Sequence, residues 1–222
     1  MTPQRRAVLA ELAEATPTPG GGGGAVRVAV DGVDGAGKTL LADQLADVLT
    51  AGGRTVIRAS VDNFHRPLFE RYRRGRNSPV GFWLDSYDYD RLRGELLDPL
   101  SPCGNGIYRT SVHDLASNQP VEQRAQHCPP SAVLLIDGLF LHRDELRDYW
   151  DLSIWLEVPF TVTAARMARR DGTSPDPDDP SMARYVGGQR LYLAECTPAH
   201  RANVVLDNTD PDLLTVLAAR AG

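Results

Sequence analysis

The sequence predicts an α/β domain in which a parallel five-stranded sheet carries helices on both faces. Three observations support this fold class. Short apolar runs typical of buried strands alternate with helical patterns along most of the chain. A glycine-rich loop joins the first such strand to the helix that follows it. The 222 residues suit one domain of this kind with room for an insertion. Because parallel strands are joined by crossover helices, both faces of the sheet are expected to be covered.

The chain begins with a helical pattern that precedes the predicted sheet. Apolar side chains at helical spacing predict a short amphipathic helix over residues 3–15. Residues 16–24 form a run rich in proline and glycine, which is typical of a flexible linker. We therefore divide the chain into an N-terminal helix with its linker, residues 1–24, and a main domain, residues 25–222. The helix is expected to be an appendage of that domain.

The main domain is predicted to alternate strands and helices around one long insertion. The predicted strands cover residues 25–32, 54–62, 131–141, 151–159 and 202–208, and the predicted helices cover residues 39–51, 161–171 and 182–196. Residues 63–130 interrupt this alternation with aromatic, basic and acidic clusters and a β-hairpin pattern. We interpret this stretch as a substrate-binding insertion. A mobile lid is expected over about residues 163–181.

Composition and charge exclude several classes of protein. The net charge of −5 disfavours a general nucleic-acid binder, which usually has a basic excess. No apolar run is long enough to span a membrane, and the N-terminus lacks the apolar core of a signal peptide. The three cysteines have no paired spacing, which fits a reducing compartment. We therefore expect a cytoplasmic protein without membrane or nucleic-acid partners.

The glycine-rich loop matches the Walker A pattern G-x-x-x-x-G-K-S/T at every fixed position of residues 32–39. Glycines allow the backbone to wrap around phosphate groups with its N–H groups turned inward, and the following helix offers its N-terminus to the anion. Lys38 is expected to reach the β- and γ-phosphates, and the Thr39 hydroxyl to ligate Mg²⁺. The motif therefore predicts a P-loop NTPase fold that uses ATP and Mg²⁺. The expected nucleotide contacts are Gly32, Val33, Asp34, Gly35, Ala36, Gly37, Lys38, Thr39 and Leu40.

The lysine content helps to separate kinases from guanine switches. Among the 24 basic residues Lys38 is the only lysine, and the P-loop already requires it. A GTPase normally reads guanine with an N-K-x-D motif, which needs a second lysine. The sequence therefore disfavours a GTPase switch.

Two aspartates close predicted strands on the edge of the sheet where the P-loop lies. Asp62 follows the second strand and Asp137 follows the most apolar strand of the chain. Ligands of open parallel sheets bind at this edge. Asp137 has the position of a magnesium-binding Walker B carboxylate, and Asp62 is the better candidate for the general base, with a second role near the metal. Either aspartate could instead cap the following helix.

Three arginines of the predicted lid helix lie at spacings of three and four residues, which place them on one face: Arg166, Arg169 and Arg170. Arginines that close over ATP neutralise charge that develops on the transferred phosphoryl group. We predict catalytic roles for Arg166 and Arg169, and Arg169 is also expected to contact ATP. A solvated basic helix end is the alternative.

Together these residues and motifs resemble the uridine kinase and phosphoribulokinase-like group of P-loop kinases over about residues 25–210. The resemblance rests on the Walker A segment, residues 60–67, the Asp137-Gly138 strand end, the arginine-rich lid and residues 198–208. It implies an ATP-dependent kinase for a hydroxyl, first of all the 5′-hydroxyl of a nucleoside such as uridine or cytidine. It also implies that a homo-oligomer is to be expected.

The same resemblance assigns acceptor contacts residue by residue. Asp62 becomes the base that activates the ribose hydroxyl, and His65 of the same segment joins the expected substrate contacts. Asp85, or in its place Asp88, would bind the ribose hydroxyls. Tyr108 and His113 of the hairpin pattern would contact the base, although Thr110 replaces an aromatic residue common in the family. Further candidates are Arg184 and Gln189, near Tyr185.

Several alternatives stay open from the sequence. Within the kinase class, the acceptor could be pantothenate, nicotinamide riboside or a sugar or sugar phosphate, because specificity depends on the shape of the insertion. The basic cluster of residues 71–76 could bind a substrate phosphate or be a solvated helix face. A regulatory P-loop ATPase is the alternative from a different class. A binding-only relative is disfavoured because all four of the central residues, Lys38, Thr39, Asp62 and Asp137, are present.

Overall fold

The computed structural model describes residues 1–18, 20 and 24–220. The helices are α1 (Pro3–Ala15), α2 (Lys38–Ala51), α3 (Leu68–Arg71), α4 (Pro79–Asp85), α5 (Tyr89–Leu92), α6 (Phe160–Asp171), α7 (Ala183–Cys196) and α8 (Pro198–Arg201). The strands are β1 (Val26–Gly32), β2 (Thr55–Ser60), β3 (Ile107–Tyr108), β4 (His113–Asp114), β5 (Gln119–Pro120), β6 (Gln126–His127), β7 (Ala132–Gly138), β8 (Leu152–Glu157), β9 (Val204–Asp207) and β10 (Thr215–Ala219). Short 3₁₀ or π turns separate several of them.

The central sheet has the strand order β10-β9-β8-β1-β7-β2. The pairs from β2 to β9 are parallel, which confirms the α/β class and the five predicted strands. Every residue of β1 and β7 is buried, as expected for central strands covered on both faces. The predicted count of five was wrong by one, because β10 adds a sixth strand that runs antiparallel to β9. This edge strand is short, apolar in sequence and mostly exposed.

Helix α1 packs against the main domain through its apolar face. Val8, Leu9 and Leu12 are buried, and the neighbours of α1 are α2 and β10. This differs from the expectation of an appended helix, because the apolar face of a helix is stable only where another element covers it. The division of the chain at residue 24 stays a prediction, and the predicted linker includes Pro19 and residues 21–23, which lie outside the described residues.

The insertion forms two nested antiparallel pairs in place of one hairpin. Strand β3 pairs with β6, and between them β4 pairs with β5. The remainder of the insertion is helical, and α4 packs closely on α7. Of the helices in the described ranges, none is both long and apolar enough to cross a membrane.

Candidate active site

A cavity of about 490 Å³ lies where β1, β2 and β7 end, between the P-loop, the insertion and the helices α6 and α7. Its walls include ten residues that the sequence assigned to the site: Asp34, Gly35, Gly37, Lys38, Thr39, Leu40, Asp62, His65, Asp137 and Arg166. The structure therefore brings the predicted phosphate, metal and base residues to one place. Three P-loop residues of the predicted set, Gly32, Val33 and Ala36, are not among the lining residues.

The P-loop owes its shape to two glycines in the left-handed region. Gly35 has φ +79° and Gly37 has φ +90°, and Gly37 is the residue before α2. A Cβ atom on Gly35 would lie 2.9 Å from the Thr163 carbonyl oxygen, so only glycine lets α6 approach this closely. The Lys38 ammonium donates a hydrogen bond to the Val33 carbonyl oxygen at 3.0 Å, within the loop that would surround the phosphates.

Thr39 and Asp137 provide adjacent oxygen ligands on the cavity wall. The Thr39 hydroxyl donates to Asp137 Oδ2 at 2.7 Å, and Arg58 Nη2 donates to Asp137 Oδ1 at 3.0 Å. The described residues contain no cluster of three or more acidic, histidine or cysteine side chains that could hold a metal by themselves. This donor set fits Mg²⁺, which usually binds one or two protein oxygens and takes the others from water and phosphate.

Asp62 is oriented by two aromatic neighbours. The Tyr87 hydroxyl donates to Asp62 Oδ1 at 2.9 Å, and His65 Nδ1 lies 2.7 Å from the Asp62 carbonyl oxygen, which makes this nitrogen the donor. Burial and the nearby Asp62 charge raise the pKa of Tyr87 well above its usual value, so the phenol stays protonated. Asp62 Oδ2 accepts no hydrogen bond from the described residues and is free to face an acceptor hydroxyl.

His65 is held in its neutral form. Burial lowers its pKa, against the opposing influence of the Asp62 charge and of the hydrogen bond to the Asp62 carbonyl, and the Arg71 charge also lowers it. The neutral ring stacks at a tilt on Tyr87, with 4.5 Å between the ring centroids. The predicted base thus lies on a 3₁₀ turn, Val61–Phe64, that aromatic packing and hydrogen bonds fix in place.

The predicted lid arginines separate into different roles. Arg166 donates to the carbonyl oxygens of Gly35 (3.2 Å) and Asn208 (2.8 Å), which ties α6 to the P-loop. Arg170 lines the cavity and lies 3.6 Å from Asp34. Arg169 is exposed and is not among the lining residues. The catalytic roles of Arg166 and Arg169 stay predictions. Arg170 becomes a further candidate because it lines the cavity.

The predicted acceptor contacts are brought together only in part. The Asp85 carboxylate is buried in ion pairs with Arg73 (2.5 Å) and Arg74 (2.9 Å) and does not line the cavity. Tyr108 is likewise away from the cavity lining, and its hydroxyl lies 3.4 Å from Gln126. His113 lines an adjoining open recess in which Asp62 is also exposed.

Two further candidates from α7 and the insertion also have other partners, whereas Arg184, named with them, lines the cavity. Asp88 accepts a hydrogen bond from the Arg91 N–H and caps α5. Gln189 accepts one from the Asp34 N–H at 2.6 Å and so supports the P-loop. Sequence reasoning passed over six lining residues that the insertion and α6 contribute, and the aromatic character of residues 72–87 pointed toward most of them: Tyr72, Phe82, Ser86, Tyr87, Leu115 and Met167.

Comparisons with known proteins identify a family and several similar chains. The model of the Phosphoribulokinase / Uridine kinase family matches residues 27–175. A uridine kinase from Leuconostoc citreum (strain KM20) is 26% identical over 151 residues, which cover 65% of this chain and 67% of that protein.

Two solved structures are similar over most of the chain. A possible uridine kinase from Bacillus stearothermophilus superimposes with a TM-score of 0.70 at 22% identity and covers 90% of this chain and 96% of its own. A candidate fructose transport system kinase from Silicibacter sp. TM1040 gives a TM-score of 0.66 at 26% identity and covers 84% of this chain and 94% of its own.

Proposed function

This chain belongs to the phosphoribulokinase / uridine kinase family, and on that premise we propose that Asp62 activates an acceptor hydroxyl toward the γ-phosphate of ATP. The family makes the protein an ATP-dependent phosphotransferase that acts on a hydroxyl group. The observation that carries the proposal is the single cavity in which Lys38, Asp62 and the Thr39–Asp137 pair meet.

The proposed reaction divides the work among these residues. Asp62 Oδ2 takes the proton of the acceptor hydroxyl as its oxygen forms a bond to the γ-phosphorus, and the bond to the β-phosphate oxygen of ATP breaks to release ADP. Lys38 and the P-loop N–H groups bind the phosphates. Thr39 and Asp137 would hold Mg²⁺, which when bound neutralises phosphate charge. Arg166 fixes α6 on the P-loop, and Arg170 is placed to close over the phosphates.

Removing the base tests this assignment. Asp62→Asn is expected to lower kcat by roughly 10²–10⁴-fold, with ATP binding nearly intact, because the amide cannot accept the proton. Asp90→Asn is a suitable control, since Asp90 is an exposed aspartate of the same insertion paired only with Arg93. An Asp62→Asn enzyme with the kcat of the control would place the base elsewhere.

Our first candidate for the acceptor is a nucleoside that is phosphorylated on its 5′-hydroxyl, such as uridine or cytidine. The support for it is the similarity to a protein named as a uridine kinase. The second candidate for the acceptor is a sugar, a sugar phosphate or another small molecule such as pantothenate or nicotinamide riboside. One specific observation favours it. Asp85 and Tyr108, the residues expected to read ribose and base, do not line the cavity.

A coupled assay of ADP release tests both candidates in one experiment. The enzyme is mixed with ATP and Mg²⁺ and with one acceptor at a time: uridine, cytidine, nicotinamide riboside, pantothenate and simple sugars with their phosphates. We expect ADP release to rise several-fold with the right acceptor. ATP turnover that no acceptor changes would support a regulatory ATPase instead.

A further inference from the structure

The wall of the cavity contributed by α3 and α7 carries two buried arginines, Arg71 and Arg184, that form no ion pair with an acidic side chain of the described residues; we call them the arginine pair. Arg71 is 8% exposed and Arg184 is 6% exposed, and both line the cavity. Arg71 Nε has no hydrogen-bond partner among the described residues. Within the described part of the chain, Arg184 donates two long hydrogen bonds, of 3.3 and 3.4 Å, to the carbonyl oxygens of Ser78 and Arg71.

Two other buried arginines, Arg27 and Arg143, have carboxylate partners, whereas Arg5 is buried among neutral oxygen acceptors. Arg27, also 8% exposed, forms an ion pair with Asp151 at 3.2 Å. Arg143, 6% exposed, forms one with Glu145 at 2.8 Å. A buried guanidinium is costly unless ion pairs or hydrogen bonds compensate for its lost hydration, and Arg5 is compensated by three hydrogen bonds of 2.6, 2.9 and 2.9 Å. The arginine pair, which lines the cavity, has neither a carboxylate partner nor a short hydrogen bond among the described residues.

The carboxylate of Asp85 does not neutralise the arginine pair. Asp85 is close enough for its charge to act on Arg184, but its two oxygens are held by Arg73 and Arg74. Burial lowers the pKa of Arg184, and the positive charge of Arg71 lowers it further, so the two cations repel each other. An anion bound between them would relieve this repulsion.

Aromatic packing holds both guanidinium groups in position. The Arg184 guanidinium carbon lies 4.8 Å from the Tyr72 ring centroid and that of Arg71 lies 5.9 Å from it. Helix α7 reaches this place because Gly188 has no side chain; a Cβ atom there would lie 2.8 Å from the Phe82 ring. A fixed guanidinium fork suits the two oxygens of a phosphate or a carboxylate.

We infer that the arginine pair is an anion subsite of the acceptor site, and that the acceptor is a small hydroxy compound with a phosphate or carboxylate group. This inference rests on the proposed function and decides between its two candidates in favour of the second. The charge of Arg71 lowers the pKa of His65, and His65 forms a hydrogen bond with the Asp62 carbonyl oxygen. The arginine pair therefore lies near the proposed base, on the side of the cavity that would bind the acceptor. The P-loop and Lys38 at the other end are left for ATP.

Matched acceptors test the inference in the unaltered enzyme. ADP release is measured with fructose 6-phosphate against fructose, with pantothenate against its neutral alcohol pantothenol, and with uridine. We expect at least one charged member to exceed its neutral partner and uridine by tenfold or more in kcat/KM. The comparison of fructose 6-phosphate with fructose tests for a phosphate group on the acceptor, and that of pantothenate with pantothenol tests for a carboxylate. If uridine or a neutral partner is the best substrate, the subsite is refuted while the kinase assignment stands; if no acceptor raises ADP release, the proposed function itself fails.

Variants then locate the subsite. Arg71→Gln and Arg184→Gln should each raise the KM for the charged acceptor by roughly 10- to 100-fold, as expected for the loss of a charge-assisted hydrogen bond, with a much smaller change in the KM for ATP. Arg76→Gln is the matched control, because Arg76 is exposed, stacks on the same Tyr72 ring at 5.6 Å and is outside the cavity lining. Arg184→Lys, which keeps the charge, should recover part of the loss. A larger rise in the KM for ATP than for the acceptor would assign the arginines to the transferred phosphate and overturn the inference.

Discussion

Arg5 of helix α1 provides a test of how the N-terminal helix contributes to the nucleotide site. Its side chain is 2% exposed and its partners are neutral. It donates to Gln44 Oε1 at 2.6 Å, to Asn208 Oδ1 at 2.9 Å and to the Pro211 carbonyl oxygen at 2.9 Å. Asn208 in turn donates to the Ala36 carbonyl oxygen of the P-loop at 2.6 Å. Two hydrogen bonds therefore link α1 to the phosphate-binding loop.

The expected cost of Arg5→Met follows from these contacts. Methionine keeps most of the apolar stem but removes three hydrogen bonds and leaves their acceptors unpaired. Bonds from a charged donor contribute about 1.5 kcal/mol or more each, so the gross loss is about 4–5 kcal/mol. Burial of the guanidinium, which lowers the pKa of Arg5, offsets part of this. A net loss of about 2–4 kcal/mol in the free energy of unfolding remains.

The functional effect should appear in nucleotide binding. Release of Asn208 weakens one hydrogen bond to the P-loop, worth about 1 kcal/mol, so the KM for ATP should rise about fivefold while the KM for the acceptor changes little. Urea unfolding and steady-state kinetics measure the two effects. The control is Arg6→Met, one position along the same helix, where the side chain is exposed. The reasoning is refuted if the two variants have free energies of unfolding within about 0.5 kcal/mol of each other and the same KM for ATP; α1 would then be an appendage.

Three further changes test the P-loop and the base. Lys38→Ala should abolish turnover, because the phosphates lose the only lysine of the chain, and an active variant in the ADP-release assay would refute the assignment. Gly37→Ala should weaken ATP binding and lower the melting temperature, since φ is +90° and the new Cβ would lie 2.7 Å from Asn208 Nδ2; normal ATP affinity would contradict this. Burial lowers the pKa of His65 in the folded protein below the ordinary value of about 6.5. Between these two pKa values the unfolded chain binds one more proton than the folded protein. The free energy of unfolding therefore falls as the pH falls through this window. Urea titrations from about pH 7 to pH 5 should show a smaller acid loss in His65→Gln than in the parent protein, and an equal loss would contradict the placement of His65.

The parts of the site that the sequence predicted are those encoded by neighbouring residues. The Walker A pattern is contiguous, so its backbone conformation and its place between β1 and α2 follow from local spacing. Asp62 and Asp137 could be placed at the same edge because parallel strands end together, and the Thr39–Asp137 hydrogen bond of 2.7 Å agrees with that placement. The apolar runs predicted five of the six strands for the same local reason.

The acceptor end of the site could not be predicted in this way. Asp85 had the right residue type near the expected position, but two arginines of the preceding turn hold its carboxylate. Tyr87 is two residues further along and is the residue that contacts Asp62. Which side chain of such a segment turns into the cavity depends on helix packing that joins α4 to α7, about a hundred residues away in the chain.

The sequence by itself determined the α/β class, the phosphate-binding loop, the two strand-end aspartates and the kinase family, because each depends on short-range periodicity or on a contiguous motif. The tertiary structure alone decided that α1 joins the nucleotide site through a contact between residues 203 positions apart, and that Arg71 and Arg184 share one wall of the cavity. The physical reason is that the balance of charge in a buried site is a sum over side chains from distant segments. The role of a carboxylate or guanidinium therefore depends on whether packing brings an oppositely charged or hydrogen-bonding side chain into contact with it.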